Sequence, residues 1–506
     1  MAELTRTITI ENINGGWIND FAKGNASSPM TKPSTYYLGT FNPNKPNYLG
    51  QVSNSFGENP NTLSATELAI NATVDSIQRG YFIMRDGLIR QMDLTVTWPP
   101  VSNDYTIPTG CLNDGFKDIW KYVTPTDGFE AIFYTYQTAS AAVCSYARTS
   151  SFGSTRVDPF YTFANRNVPH VGVVSVNNQS YVTDGNFLRA FDANTNTWTS
   201  VNCGIGVTLT SVADFGNFVA AVGGNGTTSW LFLWTGTAAT FPNYKYEIRD
   251  TNVTSVINEG GDLRVFTFGK NGTTKIKTFN GNGFSEEGDW ETPTSLCSSP
   301  THGQVDVWLN QIVWKGSETV SGVLTDGFIW VYGSVRKDEI DKGAHRVGQL
   351  TAVSPLTANI GGCVKNLFQN NLYVGMRSGA NYFIYNVKAD SSYGSTTPSS
   401  LKTALYSLPR NSTIQRLMVY FSDYTVPGTA SSGSSFDCSL FKDYDTTTDW
   451  LNYSIPIMDT TSASPTYYFP IVKSIPNIDT FYLDMTFSNC TIRKIDIEYT
   501  FIPGDL

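Results

Sequence analysis

The stretch His170–Trp198 holds the pattern that decides the fold. Its three strands and two turns are, in chain order, Val171-Gly172-Val173-Val174-Ser175-Val176, Asn177-Asn178-Gln179, Ser180-Tyr181-Val182, Asp184-Gly185-Asn186 and Phe187-Leu188-Arg189-Ala190-Phe191. Apolar, β-branched and aromatic residues favour strands. Asn and Gly tolerate the positive φ that tight hairpins need. The stretch therefore predicts consecutive short strands joined by hairpin turns.

The same pattern recurs along the chain. Its other copies are Val207–Trp234, Val253–Phe284, Gln304–Val335 and Ala358–Val387, preceded by two looser copies, Asp75–Trp98 and Phe116–Arg148. They recur at about 40 to 50 residues, which is the length of a four-stranded propeller blade. The span Ile77–Tyr393 then holds about seven blades. We predict an all-β chain built on a β-propeller of about seven blades. An array of β-sandwich domains and a parallel β-helix are the alternatives.

A second β-domain is predicted at the carboxyl end. The stretch Asp390–Ser400 is small, polar and rich in turn formers, which is typical of a linker. Beyond it, strands are predicted at Ile414–Phe421, Ser435–Phe441, Leu451–Ile457 and Tyr467–Val472. The later stretches Thr480–Phe487 and Arg493–Phe501 alternate cleanly between apolar and polar residues. The apolar sets are Phe481, Leu483, Met485 and Phe487, and Ile495, Ile497, Tyr499 and Phe501. One packed and one solvated face predict a β-sandwich or jelly roll.

The amino-terminal segment has a different character. Residues 25–63 contain five prolines among Asn, Ser, Thr and Gly, with no strand or helix period. Its neighbourhood is aromatic, with Trp17, Phe21, Tyr36, Tyr37, Phe41 and Tyr48. A long aperiodic but aromatic stretch predicts an extended arm that packs on another surface. The predicted domains are the arm at 1–72, the propeller at 73–395 and the β-sandwich at 402–506.

Composition and charge limit the classes of function. Only 15% of residues are charged, 13% are aromatic, and the net charge is −9. This composition excludes a disordered chain and a coiled coil. The negative charge opposes binding to a phosphate backbone, and the densest basic groups are the pairs Arg336-Lys337 and Arg493-Lys494. Sequence-specific recognition of nucleic acid is therefore not expected.

The sequence features that indicate cellular location predict a chain that is made in a cytosol. The stretch Met1–Arg6 lacks the basic and apolar parts of a signal peptide, and no apolar run is long enough to span a bilayer. The seven cysteines are widely spaced, without the short spacings of a metal knuckle. We interpret them as reduced and mostly buried thiols.

No motif identifies a reaction. His170, His302 and His345 stand near no nucleophile motif, and lone histidines of this kind are usually turn or core residues. The stretch Thr325–Trp330 comes nearest to the Asp-containing turns of propeller glycosidases, but it occurs once and lacks their spacing. The acidic groups Glu286–Asp289 and Asp338–Asp341 are interpreted as solvated loop charge, with a calcium site as the alternative. We predict no catalytic, cofactor-binding or metal-binding residue, no cofactor, and no enzymatic activity.

In its organisation the chain resembles a tailed-bacteriophage virion protein of the propeller-bearing nozzle, hub or connector-stabilising type. The stretches that carry the resemblance are Ile13–Trp17 with the Pro-rich arm that follows, and Ile492–Tyr499 at the end. The resemblance implies a homo-oligomeric ring at the tail or portal vertex of the virion. Its implied partners are copies of itself and neighbouring virion proteins, with DNA passing through an acidic ring lumen. A carbohydrate- or receptor-binding propeller of a tail tip is the alternative, and a glycosidase is a third hypothesis.

Overall fold

A computed structural model describes residues 4–10, 35–38, 49–50, 62–65, 67–96, 100, 102–106, 111–123, 128–154, 156–175, 178–192, 196–269, 272–284, 290–294, 297–320, 323–333, 343–349, 362–369, 371–378, 381–387, 399–403, 405–424, 435–442, 451–455, 468–488 and 490–502. Within these ranges the regular elements are β-strands and two short 3-10 helices, Thr149–Ser151 and His302–Gln304. No helix of the described part is long and apolar enough to cross a membrane.

The chain forms two compact units. One contains residues 59–327 and 352–389, and the other contains residues 1–58, 328–351 and 390–506. The first four strands are β1 (Leu4–Ile10), β2 (Thr35–Leu38), β3 (Leu49–Gly50) and β4 (Thr62–Ala65).

Seven four-stranded antiparallel sheets follow one another along the chain. Six of them use four consecutive strands: β5–β8 (Ala69–Val74, Arg79–Met84, Leu88–Asp93, Ser102–Thr106), β9–β12 (Cys111–Val123, Glu130–Thr138, Ala142–Arg148, Arg156–Phe163), β13–β16 (Gly172–Val174, Ser180–Asp184, Phe187–Asp192, Thr197–Asn202), β17–β20 (Thr208–Phe215, Phe218–Gly224, Ser229–Trp234, Tyr244–Glu247), β21–β24 (Asn252–Glu259, Asp262–Phe268, Thr273–Phe279, Trp290–Pro293) and β25–β28 (Val305–Trp308, Gln311–Val320, Val323–Gly333, Gly343–Gln349). The seventh uses β29–β31 (Val364–Phe368, Asn371–Ser378, Asn381–Val387) and β4.

The first strands of the seven sheets form a closed ring. Each contacts the first strand of the next sheet, and β29 of the seventh sheet returns to β5 of the first. This arrangement is a seven-bladed β-propeller, and each sheet corresponds to one of the seven copies in the sequence. The all-β class and the propeller are thereby confirmed.

The propeller core lies between neighbouring blades. In one hydrophobic cluster, Tyr181 and Leu188 of the third blade pack with Phe232 and Trp234 of the fourth. A blade covered on both faces buries consecutive residues. This double burial explains why the inner strands are almost continuously apolar rather than alternating.

The seventh blade is completed by a strand from the other end of the chain. Strand β4 pairs with β31, with Thr62 opposite Tyr385 and Ala65 opposite Tyr382. It lies inside the segment 1–72 that the sequence assigned to the arm. The ring is therefore closed by hydrogen bonds between an early and a late segment of the propeller.

The other strands form one nine-stranded antiparallel sheet. Its later strands are β32 (Ser399–Thr403), β33 (Tyr406–Tyr424), β34 (Ser435–Lys442), β35 (Leu451–Ile455), β36 (Tyr468–Ser488) and β37 (Cys490–Phe501). The order is β1-β37-β33-β36-β32-β2, while β3 pairs with β37, and β34 pairs with β35 and β36. The predicted inward residues with described side chains are buried, among them Leu483, Met485, Ile495 and Ile497, while the side chain of Phe487 lies outside the described part.

Two strands predicted separately are one element. Strand β36 covers residues 468–472 of the predicted strand Tyr467–Val472 and the whole of Thr480–Phe487. It pairs with β33 over residues 468–481, with β32 over residues 484–487 and with β34 over residues 481–488. Asn411 in β33 and Asn477 in β36 have φ of 56° and 59°, and the register between these strands shifts. Asn tolerates this left-handed backbone, so the ladder continues past an irregular stretch.

Part of the predicted arm joins this sheet. Strand β1 pairs with β37 along its length, and the Thr9 hydroxyl donates to an Asp496 carboxylate oxygen at 2.7 Å. The Pro-rich part of the arm around β2 and β3, and most of the linker Asp390–Ser400, lie outside the described residues. The proposed domain boundaries stay a prediction.

Candidate functional site in the propeller channel

The centre of the propeller contains two cavities. One, of about 380 Å³, is lined by residues of all seven first strands, and we call it the channel cavity. The other, of about 590 Å³, lies where the first strands begin, and we call it the mouth cavity. His302, in the 3-10 helix that precedes β25, lines both. Its side chain therefore marks the point where the two cavities meet.

His302 connects three blades. Its Nδ1 is 2.8 Å from the hydroxyl of Ser211 in the fourth blade, and its Nε2 is 3.5 Å from a carboxylate oxygen of Asp118 in the second. His302 itself belongs to the sixth blade. Asp118 also accepts hydrogen bonds from the main-chain N–H of Gly172 and from the side-chain amide of Asn71. The cluster is therefore a polar crosslink between blades at the axis of the ring.

Burial sets the charge states of this cluster. Desolvation raises the pKa of Asp118 to about 7, although hydrogen bonds from Gly172, Ile119 and Asn71 oppose the rise. Desolvation, with the nearby Lys365 charge, lowers the pKa of His302 to about 3. Burial also raises the pKa of Asp306, which lies in the same cavity. Low-dielectric surroundings disfavour the charged form of each group.

Side chains of the channel clamp neighbouring blades together. Asp118 accepts from the Gly172 N–H at 2.6 Å, and Ser211 accepts from the Val256 N–H at 3.2 Å. Asp306 repeats the contact with the Asn366 N–H at 2.8 Å. Each bond joins the first strand of one blade to the first strand of the next.

A second hydrogen bond, again donated by the later blade, joins the same pairs of blades. The amides of Asn178, Asn258 and Asn366 donate to main-chain carbonyls on the preceding first strands at 2.6, 3.0 and 3.1 Å. Polar groups that are hydrogen-bonded in this way between packed strands fix the mutual position of the strands. The blades are therefore joined at the axis by hydrogen bonds as well as by apolar packing.

A recurrent β-bulge brings four side chains to the mouth cavity. In the first, second, fourth and fifth blades, the pairing of the first strand skips one residue, and these residues are Ile70, Lys117, Thr210 and Thr254. All four line the mouth cavity. The next residue in each strand, Asn71, Asp118, Ser211 or Ser255, is buried. Bulges of this kind redirect side chains at the rims of β-structures.

Ser211, His302 and Asp118 share the residue types of a nucleophilic triad. The Ser211 residue, however, has no exposed surface, and its Oγ already accepts the Val256 N–H. A substrate carbonyl could not reach this oxygen without opening the strand. We interpret the three residues as a structural crosslink, and the absence of catalytic activity stays a prediction.

His170 does not join this cluster. His170 is fully buried, stacks on Phe163 at 4.1 Å, and has its two ring nitrogens 2.9 and 2.8 Å from the carbonyl oxygens of Thr183 and Asn165. Burial lowers its pKa. His345 lies in β28, and its side chain is outside the described part. His170 is thus a core residue, as its isolation in the sequence indicated.

The acidic groups that the sequence singled out are not among the described residues. Glu286–Asp289 and Asp338–Asp341 lie outside the described residues, as do the side chains of Asp326 and its nearest neighbours. Within the described ranges, no group of three or more His, Cys, Asp or Glu side chains could hold a metal ion.

The described cysteines are free thiols. Cys144, Cys203, Cys297, Cys363 and Cys438 are buried, while Cys111 is partly exposed. Burial raises the pKa of Cys203 to about 12 and those of Cys111 and Cys363 to about 11. Such thiols are weak nucleophiles at neutral pH.

Sequence reasoning missed the channel cluster, although a signal for part of it is present. The stretches Leu209-Thr210-Ser211-Val212 and Val253-Thr254-Ser255-Val256 repeat a Thr-Ser pair between apolar residues. In both, the Thr is the bulged residue and the Ser is buried beside the axis. The convergence of His302 on Asp118 has no comparable local signal, because the residues lie far apart along the chain.

The chain matches no protein-family model and no curated protein. Its solved structural neighbours include the WD40 repeats of RRP9, with 12% identity and a TM-score of 0.44 over 67% of this chain and 99% of that chain. U3-55K gives 11% identity and a TM-score of 0.43 over 64% and 98%, respectively. The WD40 β-propeller domain of Doa1 has 10% identity and a TM-score of 0.41 over 64% of this chain and 95% of that chain. At these values the likeness carries no functional statement, and the propeller assignment rests on the seven closed sheets.

Proposed function

We propose that the protein is a structural component of a tailed-bacteriophage virion, located in the tail or at the portal vertex, where copies assemble into a ring through protein–protein contacts. It is made in the host cytoplasm and acts as a rigid spacer without enzymatic activity. Its partners are copies of itself and neighbouring virion proteins.

The observation that carries the proposal is the crosslinked axis of the propeller. The buried Asp118 and Ser211 and the half-buried Asp306 accept hydrogen bonds that hold neighbouring strands together. A ligand-processing propeller needs free functional groups at its axis, whereas a spacer needs fixed blade positions. Closure of the last blade by β4 adds to this rigidity.

The open edge of the nine-stranded sheet supports assembly. Among the described strands, β1 pairs only with β37 and thus ends the sheet. Most of its residues are exposed, including Leu4 at 43%. An edge strand presents unpaired N–H and C=O groups that can pair with another chain. Contacts of this kind between different patches of two copies can close into a ring.

The test is electron microscopy of the purified chain together with its mass in solution. We expect ring-shaped particles of uniform subunit number, and the same ring at the tail or portal vertex of the particle that carries the chain. A monomer at every concentration, together with absence of the chain from purified virions, would refute the proposal.

An aromatic cluster favours the second candidate, a carbohydrate- or receptor-binding propeller of a tail tip. Tyr161 and Trp198 are partly exposed with ring centroids 4.7 Å apart, and the Arg189 guanidinium lies 5.4 Å from the Tyr161 ring. Sugars stack on such rings and accept hydrogen bonds from neighbouring cations. Glycan-array binding that Trp198→Leu abolishes, and that Trp230→Leu in the fourth blade retains, would favour this candidate over the spacer.

A further inference from the structure

Polar side chains of the mouth cavity are already hydrogen-bonded within the protein. The Thr210 hydroxyl donates to the carbonyl oxygen of Val253 at 3.0 Å, and the Gln137 side-chain amide donates to the Asn167 side chain at 3.0 Å. His302 directs both ring nitrogens toward the crosslink at the propeller axis. A ligand would therefore gain little by forming hydrogen bonds to these groups.

The ionisable residues of the described lining are neutral or engaged. Burial lowers the pKa of His302 to about 3, so this residue is neutral at physiological pH. Lys117 has an interaction of its own and shares the surroundings of the Cys111 thiol with the Asp158 carboxylate. Much of the remaining lining is aliphatic, with Ile70, Val168, Pro169, Val171 and Val253. Covering such a wall removes apolar surface from water, so the cavity suits an aliphatic group rather than an ion.

An aliphatic side chain projects at the same end of the propeller. Ile205 lies in the loop that joins β16 to β17, just before the first strand of the fourth blade, and it is 97% exposed. The Val207 N–H donates to the Gly204 carbonyl at 3.3 Å and closes a tight turn around Ile205 and Gly206. Gly204 and Gly206 have φ of 126° and 78°, which residues with a side chain rarely adopt. The turn therefore holds Ile205 at its tip, in solvent.

We infer that Ile205 of one copy inserts into the mouth cavity of a second copy, and that the second copy returns the same contact. Two positions on one face of a molecule are exchanged by a two-fold axis that lies midway between them in the plane of that face. A single axis therefore places both Ile205 side chains in both cavities at once, which closes the contact at two copies. A second copy suits the cavity because the same face carries both the exposed aliphatic tip and the aliphatic wall.

This contact goes beyond the proposed ring and does not depend on it. Ile205 and the lining of the mouth cavity belong to the unit that contains residues 59–327, whereas β1 belongs to the other unit. Failure of this contact would therefore leave the ring contact at β1 unaffected.

The test is disulfide crosslinking between two variants of the full chain. Ile205→Cys places a thiol on the turn, and Val168→Cys places one in the wall of the cavity. Both variants also carry Cys111→Ser, which removes a partly exposed thiol. We expect the oxidised mixture to contain a crosslinked pair of copies that neither variant forms by itself. A mixture without this pair, at the highest soluble protein concentration, would overturn the inference.

Ile77 provides the matched control. It is an exposed aliphatic residue in the turn between β5 and β6, at the opposite end of the first strands. In the same background, Ile77→Cys mixed with Val168→Cys should give at most a tenth of the crosslinked pair. Equal yields would show that the crosslink arises from random collision and would refute the two-fold contact.

Two measurements without added cysteines complete the test. Ile205→Asp would bring a carboxylate against the aliphatic wall, so we expect the dissociation constant of the two-copy contact, measured by analytical ultracentrifugation, to rise at least tenfold. Ile77→Asp should leave this constant within twofold of the parent chain. Ligand-observed NMR with 1-hexanol tests the other occupant. Binding of 1-hexanol without the crosslinked pair would assign the cavity to a small apolar molecule and exclude the second copy.

Discussion

At the scale of single residues, burial of His302 and Asp118 shifts two pKa values in opposite directions, so that their effects on the pH dependence of stability oppose each other. Asp118 has a folded pKa of about 7, above its ordinary 3.8, so its stabilising contribution is lost as the pH rises between these values. His302 has a folded pKa of about 3, below its ordinary 6.5, so its contribution is lost as the pH falls between them. Between pH 3.8 and 6.5, the folded protein holds one proton on Asp118 and the unfolded chain holds one on His302, so both states bind the same number of protons. The two pH dependences therefore nearly cancel.

Replacing one of the two residues should reveal the pH dependence of stability that the other one causes. We expect the free energy of unfolding of His302→Gln, measured relative to the parent chain, to fall as the pH rises from about 4 to 7. Asp118→Asn should show the opposite sign, with a loss of stability as the pH falls from about 6.5 to 3. Each slope has an upper limit of about 1.4 kcal/mol per pH unit. Urea unfolding at several pH values provides the measurement, and slopes of equal sign would contradict the burial of both groups.

Gly172 is expected to tolerate no side chain. An added Cβ would lie 2.5 to 2.6 Å from ring atoms of Trp120, and the Gly172 N–H is already bonded to Asp118. We expect Gly172→Ala to destabilise the propeller by about 1–3 kcal/mol through overpacking. Chemical denaturation measures the loss. The double variant Gly172→Ala/Trp120→Leu should recover part of it beyond the sum of the single effects, and strict additivity would exclude the steric origin.

At the scale of secondary-structure elements, strand β4 completes the seventh blade. A pair of truncations tests this role. Deleting residues 1–60 keeps β4, whereas deleting residues 1–66 removes it and leaves β31 with an unpaired edge. We expect the midpoint temperature of propeller unfolding, measured by scanning calorimetry, to be unchanged in the shorter deletion. The longer deletion should lower this temperature by on the order of 5 °C or more.

The two truncations also separate folding from assembly. The shorter deletion removes β1, so it should weaken the proposed ring while the propeller stays folded. If the shorter deletion lowers the propeller transition as much as the longer one, residues before β4 stabilise the propeller, and the closing role of β4 is not supported.

Element-scale features differ in how well local sequence encodes them. The hairpins around Asp184-Gly185 and Gly260-Gly261 are encoded locally, since φ reaches 65° at Gly185 and 103° at Gly261. Burial of alternating residues in β37 is encoded equally well. Local sequence does not encode the continuity of β36, which joins two predicted strands. The strand continues through Pro476 and Asn477 because it pairs with β33 on both sides of them. The pairing of β4 with β31 is likewise decided by ring closure and not by its own residues.

The channel was harder to predict than the blades. A bulge such as Lys117 differs from a regular strand residue only through its pairing partner, so periodicity alone does not reveal it. The meeting of Asp118, Ser211 and His302 depends on the curvature of the whole ring. What the sequence does contain is the Thr-Ser pair at Thr210-Ser211 and Thr254-Ser255, which marks the bulge in two blades.

The net charge of −9 matters at the scale of the whole molecule. An acidic ring lumen would let duplex DNA pass without adhesion, whereas a DNA-holding protein would gather Lys and Arg. We expect no detectable binding of non-specific duplex DNA by micromolar protein at about 50 mM salt, where non-specific binders with several phosphate contacts already bind. Fluorescence anisotropy measures this. Micromolar binding that falls steeply with added salt would indicate a basic surface and a DNA-gripping role.

Closure by β4 also imposes an order on biosynthesis. The ribosome releases Thr62–Ala65 long before Asn381–Val387, which is the strand it must meet. At translation rates of about 5 to 20 residues per second, β4 waits for roughly 15 to 60 seconds without its partner. The inner blades can form during this interval, but the first and seventh cannot join until the propeller is almost fully synthesised. A nascent chain stalled before residue 381 should therefore remain an open arc, with an exposed apolar face that makes it a substrate for chaperones.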